Sequence, residues 1–189
     1  MDYRLYHAAN GFVADHAWLG RWAAQMETWA VPVFATLTFA LWLLARPRGD
    51  RKWKLASASA LAAGAMALFV NQLIGRIWQR ARPYQAHHVH VWGARSHDPS
   101  FPSDHASAAF AIAFAILFYD QLAGAFFVAA ALAIGVGRVV VGVHYPGDVA
   151  AGALVGLGCA LLVFRARFLL APLVRLVERI TDPIVARVR

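Results

Sequence analysis

A polar stretch of the chain ends in the segment Ser100-Phe101-Pro102-Ser103-Asp104-His105, and the apolar run 106–118 follows it directly. Ser103 is a favoured N-cap residue and small or apolar residues follow it, so a helix is predicted to begin here. The first amides of such a helix lack partners within it, and with the helix dipole they form an anion site, commonly for phosphate. His105 would lie in the first turn, in a position to give a proton to a bound group. Asp104 is also an ordinary first-turn residue, and taken alone the segment fits a simple capped helix.

The composition is that of a one-domain membrane protein. Of the 189 residues 60% are hydrophobic and the mean hydropathy is +0.53, which is too apolar for a soluble globule. The formal charge of +8 includes no Lys/Arg tract of the kind that binds nucleic acid, so the basic residues are interpreted as flanking membrane spans. Cys159 is the only cysteine, which excludes a disulfide framework and a thiolate metal site. The first ten residues lack the pattern of a signal peptide.

Hydropathy predicts an all-α bundle with about five membrane spans and an interfacial segment at each end. The predicted spans are 29–45, 55–78, 103–119, 122–137 and 148–164, which have roughly the lengths that a bilayer core requires. Residues 1–28 are amphipathic and too polar to span, and residues 165–189 carry six arginines among apolar residues, so both should lie along the membrane surface. The whole chain, 1–189, is expected to be one membrane domain with its bundle at 29–164. Gly152 and Gly156 predict close helix packing rather than a phosphate loop.

The basic residues predict the orientation. Segments 46–54 and 165–189 together carry eleven Lys and Arg residues, whereas the segments on the opposite side carry seven. The positive-inside rule therefore puts the first side in the cytoplasm. The N-terminus, the loop 79–102 and the segment 138–147 would then face outward, away from the cytoplasm.

Three clusters of unusual residues fall on that outward side: Arg80-Ala81-Arg82-Pro83, Pro102-Ser103-Asp104-His105, and the segment from Arg138 to Asp148. Ionisable groups at membrane depth are costly and are functional candidates by default. Pro146 suits the first position of a helix, which puts Asp148 in its first turn, four residues after His144. A carboxylate there would accept the N–H of one imidazole nitrogen and leave the other with a lone pair. The simpler alternative is a helix cap beside an interfacial histidine.

Guanidiniums, two imidazoles and a helix N-terminus are the groups that phosphoryl transfer needs. In this arrangement the chain resembles the type 2 phosphatidic acid phosphatase superfamily, whose motifs read Lys-x6-Arg-Pro, Pro-Ser-Gly-His and Ser-Arg-x5-His-x3-Asp. The second motif is Pro102-Ser103-Asp104-His105 here and the third is Gly137-Arg138-x5-His144-x3-Asp148, with Arg82-Pro83 ending the first. The Phe-Pro-Ser-Asp-His form resembles the bacterial undecaprenyl-diphosphate phosphatase subgroup. Gly75 stands where the family has lysine, near Arg76 and Arg80, and Gly137 stands where it has serine.

The resemblance implies an integral-membrane lipid diphosphate phosphatase, most specifically one that hydrolyses undecaprenyl diphosphate to undecaprenyl phosphate and phosphate in the recycling of a cell-envelope lipid carrier. It implies that His144 attacks phosphorus and forms a phosphohistidine, that Asp148 orients His144, and that His105 protonates the departing oxygen. The residues expected to bind the substrate phosphate are Arg82, Ser103, Arg138, Asp104 and Arg76. No metal or other cofactor is expected, and the partners are a lipid phosphate and membrane lipids.

Three alternatives stay open at this stage. The same chemistry would serve phosphatidic acid or phosphatidylglycerol phosphate. A small transporter would also contain intramembrane Arg, His and Asp, although it should spread them across the membrane depth. The loop histidines His87, His88, His90 and His97 raise a metal site, but their spacing matches no standard zinc motif. A vanadium haloperoxidase shares the motifs, but five spans do not fit its soluble body.

Overall fold

The computed structural model describes residues 2–45 and 51–188, and over these ranges every regular element is a helix. The elements are α1 Asp2–Ala14, α2 Ala17–Leu44, α3 Arg51–Ile77, α4 Pro83–Ala86, α5 Asp104–Leu117, α6 Gln121–Val140, α7 Pro146–Arg165 and α8 Arg167–Val188. The predicted all-α bundle is confirmed. Part of the predicted basic loop, residues 46–50, lies outside the described residues.

Four helices of the described chain, α2, α3, α6 and α7, are long and apolar enough to cross a membrane. The remaining predicted span, 103–119, corresponds to α5. This helix has 14 residues and a length of about 21 Å, so it is shorter than a bilayer core is thick. It is instead the most buried helix, because nearly all of its side chains from Ala106 to Ile116 are shielded by α3, α6 and α7. The centre of the bundle is thus a short, alanine-rich helix whose N-terminus begins at the predicted position.

Small residues allow α5 and α7 to approach closely. A Cβ added at Gly156 would lie 2.7 Å from the amide nitrogen of Ala111, and one added at Gly152 would lie 2.9 Å from the carbonyl oxygen of Ser103. Real Cβ atoms do not come this close to backbone atoms, so a larger residue would separate the two helices. The packing role predicted for these glycines is confirmed, and it holds the starts of α5 and α7 side by side.

The predicted interfacial segment 1–28 contains α1 and the start of α2. Helix α2 begins at Ala17 and continues without a break to Leu44, through the predicted first span. Within this segment, the carboxylate of Glu27 pairs with Arg138 of α6 inside the bundle. The position of residues 1–28 along the membrane surface stays a prediction.

The two ends of the bundle carry different structures. At one end, here called the α8 end, the Lys54 ammonium is buried and lies 2.5 Å from Asp182 and 3.8 Å from Glu178, both on α8. Lys54 was counted among the exposed basic loop residues, and that interpretation is wrong because α8 folds back over it. The opposite end, here called the site end, gathers α1, the ends of α3 and α6, the starts of α5 and α7, and the loop 78–103.

Candidate active site

A five-residue loop between α6 and α7 presents His144. The loop turns at Gly142, whose φ of +91° lies in the left-handed region that favours glycine, and a Cβ there would meet the His90 carbonyl oxygen at 2.3 Å. The amide of Trp92 donates to the Val141 carbonyl at 2.9 Å, which ties the long loop 78–103 to this turn. The backbone amide of His144 donates to the Arg138 carbonyl at 3.2 Å, so the end of α6 fixes where the imidazole lies.

The imidazole of His144 is buried and held at both nitrogens. Its Nδ1 lies 2.8 Å from the Ser100 carbonyl oxygen, and since a carbonyl only accepts, Nδ1 carries the proton and Nε2 has the lone pair. Arg82 Nη1 donates to that lone pair at 3.2 Å and to the Val143 carbonyl at 3.2 Å. Burial lowers the pKa of His144 from 6.5 to about 4, an effect that the nearby Asp148 carboxylate only partly offsets. Near neutral pH the ring is therefore uncharged.

Asp148 differs from its predicted role in one respect. Its Oδ2 lies 3.7 Å from His144 Nδ1, so the predicted direct hydrogen bond is not the close contact that orients the ring. The fully buried carboxylate accepts from Ser100 Oγ at 2.6 Å and from the Tyr145 amide at 2.9 Å. Ser100 therefore links the two, because its hydroxyl donates to Asp148 while its carbonyl accepts from His144. Sequence reasoning missed this link, although Ser100 opens the segment on which it relied.

Arg80 neutralises the buried carboxylate. Its Nη1 donates to Asp148 at 2.7 Å, its Nη2 donates to Asp2 of α1 at 2.7 Å, and its guanidinium lies 4.1 Å from the centre of the Tyr145 ring. Asp2 also accepts from the Gly147 amide at 2.9 Å, which joins α1 to the start of α7. Arg80 thus has carboxylate partners on both sides, so it does not replace the missing first-motif lysine as a phosphate ligand.

Two polar atoms at the start of α5 and the end of α6 are buried without a hydrogen-bond partner: Ser103 Oγ and Arg138 Nε. Ser103 is the N-cap residue of α5 as predicted, but its hydroxyl does not cap the helix. Its amide donates to the Asp148 carbonyl at 3.1 Å, which fixes the two helix starts together. His105, in the first turn of α5, is half-buried and within electrostatic reach of Arg138, Arg82 and His144. The three predicted clusters therefore meet around one small region.

Two candidate phosphate residues lie to one side of this region. Asp104 accepts a hydrogen bond from Asn71 Nδ2 at 2.8 Å, and its negative charge gives it no attraction for a phosphate oxygen. Arg76 is exposed at the rim of a pocket of about 170 Å³ that Gly75, Arg82 and Asp104 also line. Arg76 and Arg82 border the same space, so a phosphate there would meet two guanidiniums, while Asp104 holds α5 to α3.

A second, larger cavity of about 610 Å³ lies between α1, α2 and α6, and Arg138 is among its lining residues. Its described lining is apolar, with residues such as Phe12, Trp22 and Met26, except for the charged pair Glu27 and Arg138. Apolar clefts of this size with a few polar groups at one end are typical ligand sites.

The loop histidines do not assemble a metal site in the described part of the chain. His87, His88 and His90 border an open hollow together with Arg95, and His97 is not among its lining residues. Over residues 2–45 and 51–188, no group of three or more His, Cys, Asp or Glu side chains is placed to hold a metal ion. Activity without metal stays a prediction.

Fold and site together describe a helical membrane bundle that gathers two histidines, several arginines and the start of α5 at one end. The sequence model of the PAP2 superfamily matches residues 53–171, and the chain belongs to that family. It is similar to undecaprenyl-diphosphatase BcrC of Bacillus subtilis (32% identity, covering 98% of this chain and 94% of the relative) and to the putative undecaprenyl-diphosphatase YbjG of Escherichia coli (29%, covering 84% and 79%). The crystal structure of Aquifex aeolicus LpxE shares the fold, with a TM-score of 0.64 and 24% identity over 87% of this chain and 94% of that one.

The protein is accordingly a multi-pass membrane lipid phosphatase, a hydrolase of phosphoric esters or anhydrides whose substrate is a lipid phosphate. Family membership favours this reading over the transporter considered from the sequence.

Proposed function

We propose that the protein hydrolyses undecaprenyl diphosphate to undecaprenyl phosphate and phosphate through a phosphohistidine on His144, as part of recycling a cell-envelope lipid carrier. The observation that carries this proposal is the pair of buried, unpartnered atoms, Ser103 Oγ and Arg138 Nε, beside an imidazole whose Nε2 has a lone pair. Unpartnered buried polar atoms are rare because they cost free energy, so they indicate a missing ligand. Phosphate oxygens would accept from both.

In the first step, Nε2 of His144 attacks the terminal phosphorus and the bond from that phosphorus to the bridging oxygen breaks. Arg82 moves its Nη1 from Nε2 to a phosphoryl oxygen, because both groups need the same position. His105 gives its proton to the bridging oxygen, which leaves as undecaprenyl phosphate. The positive charge that develops on the His144 ring is stabilised by the Ser100 carbonyl and by Asp148 behind it.

In the second step, water attacks the phosphorus of the phosphohistidine and the phosphorus–nitrogen bond breaks. His105, now neutral, takes a proton from that water, which restores its starting state. Phosphate leaves, and Arg82 returns to Nε2. Ser103, Arg138 and the first amides of α5 stabilise the five-coordinate phosphorus in both steps, and Arg76 is proposed as a further contact at the rim.

The apolar cavity that Arg138 helps to line favours a substrate with a lipid tail. A hydrocarbon chain lying in this cavity would place its phosphate near Arg138, at the end of α6. The similarity to BcrC and YbjG supports undecaprenyl diphosphate in particular. The deciding experiment is phosphate release by purified protein from undecaprenyl diphosphate, undecaprenyl phosphate, phosphatidic acid and phosphatidylglycerol phosphate, with EDTA present and absent. We expect the first substrate to give the highest kcat/KM, with no effect of EDTA.

A preference for phosphatidic acid or phosphatidylglycerol phosphate would overturn the substrate, and activity lost with EDTA and restored by zinc or magnesium would overturn the metal-free mechanism. The His144→Ala protein, purified in parallel, controls for contaminating phosphatases.

We also propose that the site end faces the periplasmic side of the bacterial inner membrane, which the excess of basic residues at the α8 end supports. Ala94 is exposed at the site end and Gln121 is exposed at the α8 end. Cys159 is buried, so it should contribute little to the labelling of a cysteine introduced at either position. An impermeant maleimide should label Ala94→Cys in intact cells and Gln121→Cys only after permeabilisation. The reverse pattern would invert the orientation.

A further inference from the structure

One acidic residue at the site end is used by none of the steps above. Glu27, on α2, accepts a hydrogen bond from Arg138 Nη1 through its Oε1, and the two side chains are only 10% and 6% exposed. Glu27 lies outside residues 53–171, the segment matched by the family's sequence model, and 111 positions before its partner. Both residues line the apolar cavity.

The contact uses one part of the guanidinium and leaves another open. A guanidinium has five N–H donors in a rigid plane, and Glu27 contacts Nη1 while Nε remains buried without a partner. A phosphate can therefore bind the Nε side of Arg138 while Glu27 keeps its own contact. Without Glu27, Arg138 would be a nearly buried cation lacking a compensating charge, and its long side chain would turn toward water.

The neighbouring loop is shaped around this carboxylate. A Cβ added at Gly93 would lie 2.3 Å from Glu27 Oε2 and 3.1 Å from Val143 Cγ1, so a larger residue there would displace the carboxylate from its place beside the turn that presents His144. The fit of the loop to Glu27 is independent of its contact with Arg138, and both observations indicate that the carboxylate must occupy one position.

We propose that Glu27 is a positioning residue that holds Arg138 with its Nε side facing the substrate phosphate. This inference rests on the proposed function for its substrate, but not for its ligand chemistry, because any phosphate or vanadate oxygen would meet the same guanidinium. Glu27 acts through Arg138 and touches no reacting atom. Its loss should therefore weaken oxyanion binding more than it slows a bound substrate.

The test compares Glu27→Ala, Glu27→Gln and Gly93→Ala with a matched control, Gln25→Ala, which removes an exposed side chain from the same helix. Orthovanadate affinity is measured by titration calorimetry, and KM and kcat are measured on undecaprenyl diphosphate. Glu27→Ala should weaken vanadate binding and raise KM by roughly tenfold, the effect of losing one charge-assisted hydrogen bond, with a smaller change in kcat. Glu27→Gln keeps an acceptor for Nη1 and should recover most of the affinity.

Gly93→Ala, which displaces the carboxylate without removing it, should resemble Glu27→Ala, and Gln25→Ala should resemble the wild type. In an Arg138→Ala background, Glu27→Ala should add less than about twofold to the loss of kcat/KM, because the two residues act as a unit. Unchanged vanadate affinity in Glu27→Ala, or a full second loss in the double variant, would overturn the proposal. A wild type that binds vanadate but releases no lipid phosphate would contradict the proposed function alone.

Discussion

Each end of the bundle buries a cation against carboxylates, but most of the buried polar atoms without a partner lie at only one end. At the α8 end, the Lys54 ammonium lies between Asp182 and Glu178. At the site end, Arg138 pairs with Glu27 on one nitrogen and keeps Nε unpartnered. Of the five buried side-chain polar atoms without a partner in the described residues, four lie at the site end, namely Glu27 Oε2, Trp92 Nε1, Ser103 Oγ and Arg138 Nε, and the fifth is Ser57 Oγ.

This difference separates two roles of a buried charge, a structural role and a role in ligand binding. A buried charge whose donors are all occupied holds helices together, and its removal is a matter of stability. A buried charge with an open donor is incomplete until a ligand arrives, and its removal is a matter of binding or catalysis. Substitutions at each end test this distinction, beginning with the one that should reduce turnover most.

The largest effect should come from His144→Ala. The variant loses the atom that attacks phosphorus, so turnover should fall by about 10⁴-fold or more and no phosphohistidine should form. The measurement is acid-labile radiolabelled phosphate on protein quenched during turnover. Label retained on His144→Ala and absent from His105→Ala would mean that the two histidines have the opposite roles.

His105→Ala should slow turnover by about 10²–10⁴-fold, the range for losing a general acid. The loss should shrink for a nitrophenyl phosphate, whose leaving group needs no proton, and the phosphohistidine should still form. Comparing kcat on the two substrates measures this directly. An equal loss on both would show that His105 does something other than protonate the leaving oxygen.

Asp148→Asn should reduce kcat by about 10²-fold with little change in KM. The amide cannot satisfy all the donors that now meet at this carboxylate, so Ser100 shifts and the His144 ring loses its fixed tautomer. Ser100→Ala, which keeps the carbonyl but removes the hydroxyl, should lose less. If Ser100→Ala were as damaging as Asp148→Asn, the hydroxyl rather than the carboxylate would be the essential group.

Lys54→Met at the α8 end should change kcat/KM by less than about twofold while lowering the thermal unfolding temperature in detergent. Removing one partner of a buried ion pair costs about 3–5 kcal/mol, because Asp182 and Glu178 are left without their cation. Lys52→Met is the control, since its pair with Asp120 is exposed and contributes little. A large loss of turnover in Lys54→Met at a temperature where the variant stays folded would contradict a purely structural role for the α8 end.

The smallest effect should be that of mild acid on His144. Its pKa is lowered to about 4, so the imidazole stays mostly neutral down to pH 5, and titration of this group should change kcat/KM by less than about twofold between pH 7 and 5. The nucleophile becomes protonated, and activity falls, only as the pH drops through 4. A profile of kcat/KM against pH measures this, and an acid limb near 6.5 that is also present in His105→Ala would contradict the low pKa of His144.

Short stretches of sequence determine those features that depend on the spacing of neighbouring residues along the chain. The start of α5 after Ser103 follows from an N-cap residue before an apolar run. Asp148 lies in the first turn of α7, four residues after His144, because Pro146 takes the first helical position. The motif order then indicated the family, because three matches in register are improbable by chance. None of these inferences needs a contact between distant residues.

Tertiary structure alone decided which groups these residues meet. Ser100 rather than Asp148 is the close partner of His144 Nδ1, Arg80 pairs with carboxylates rather than phosphate, and Lys54 is buried under α8. Glu27 of α2 pairs with Arg138, 111 positions away. Hydropathy and capping rules describe neighbours along the chain, whereas the free energy of a buried charge depends on what packing brings against it, and no short stretch of sequence contains that partner.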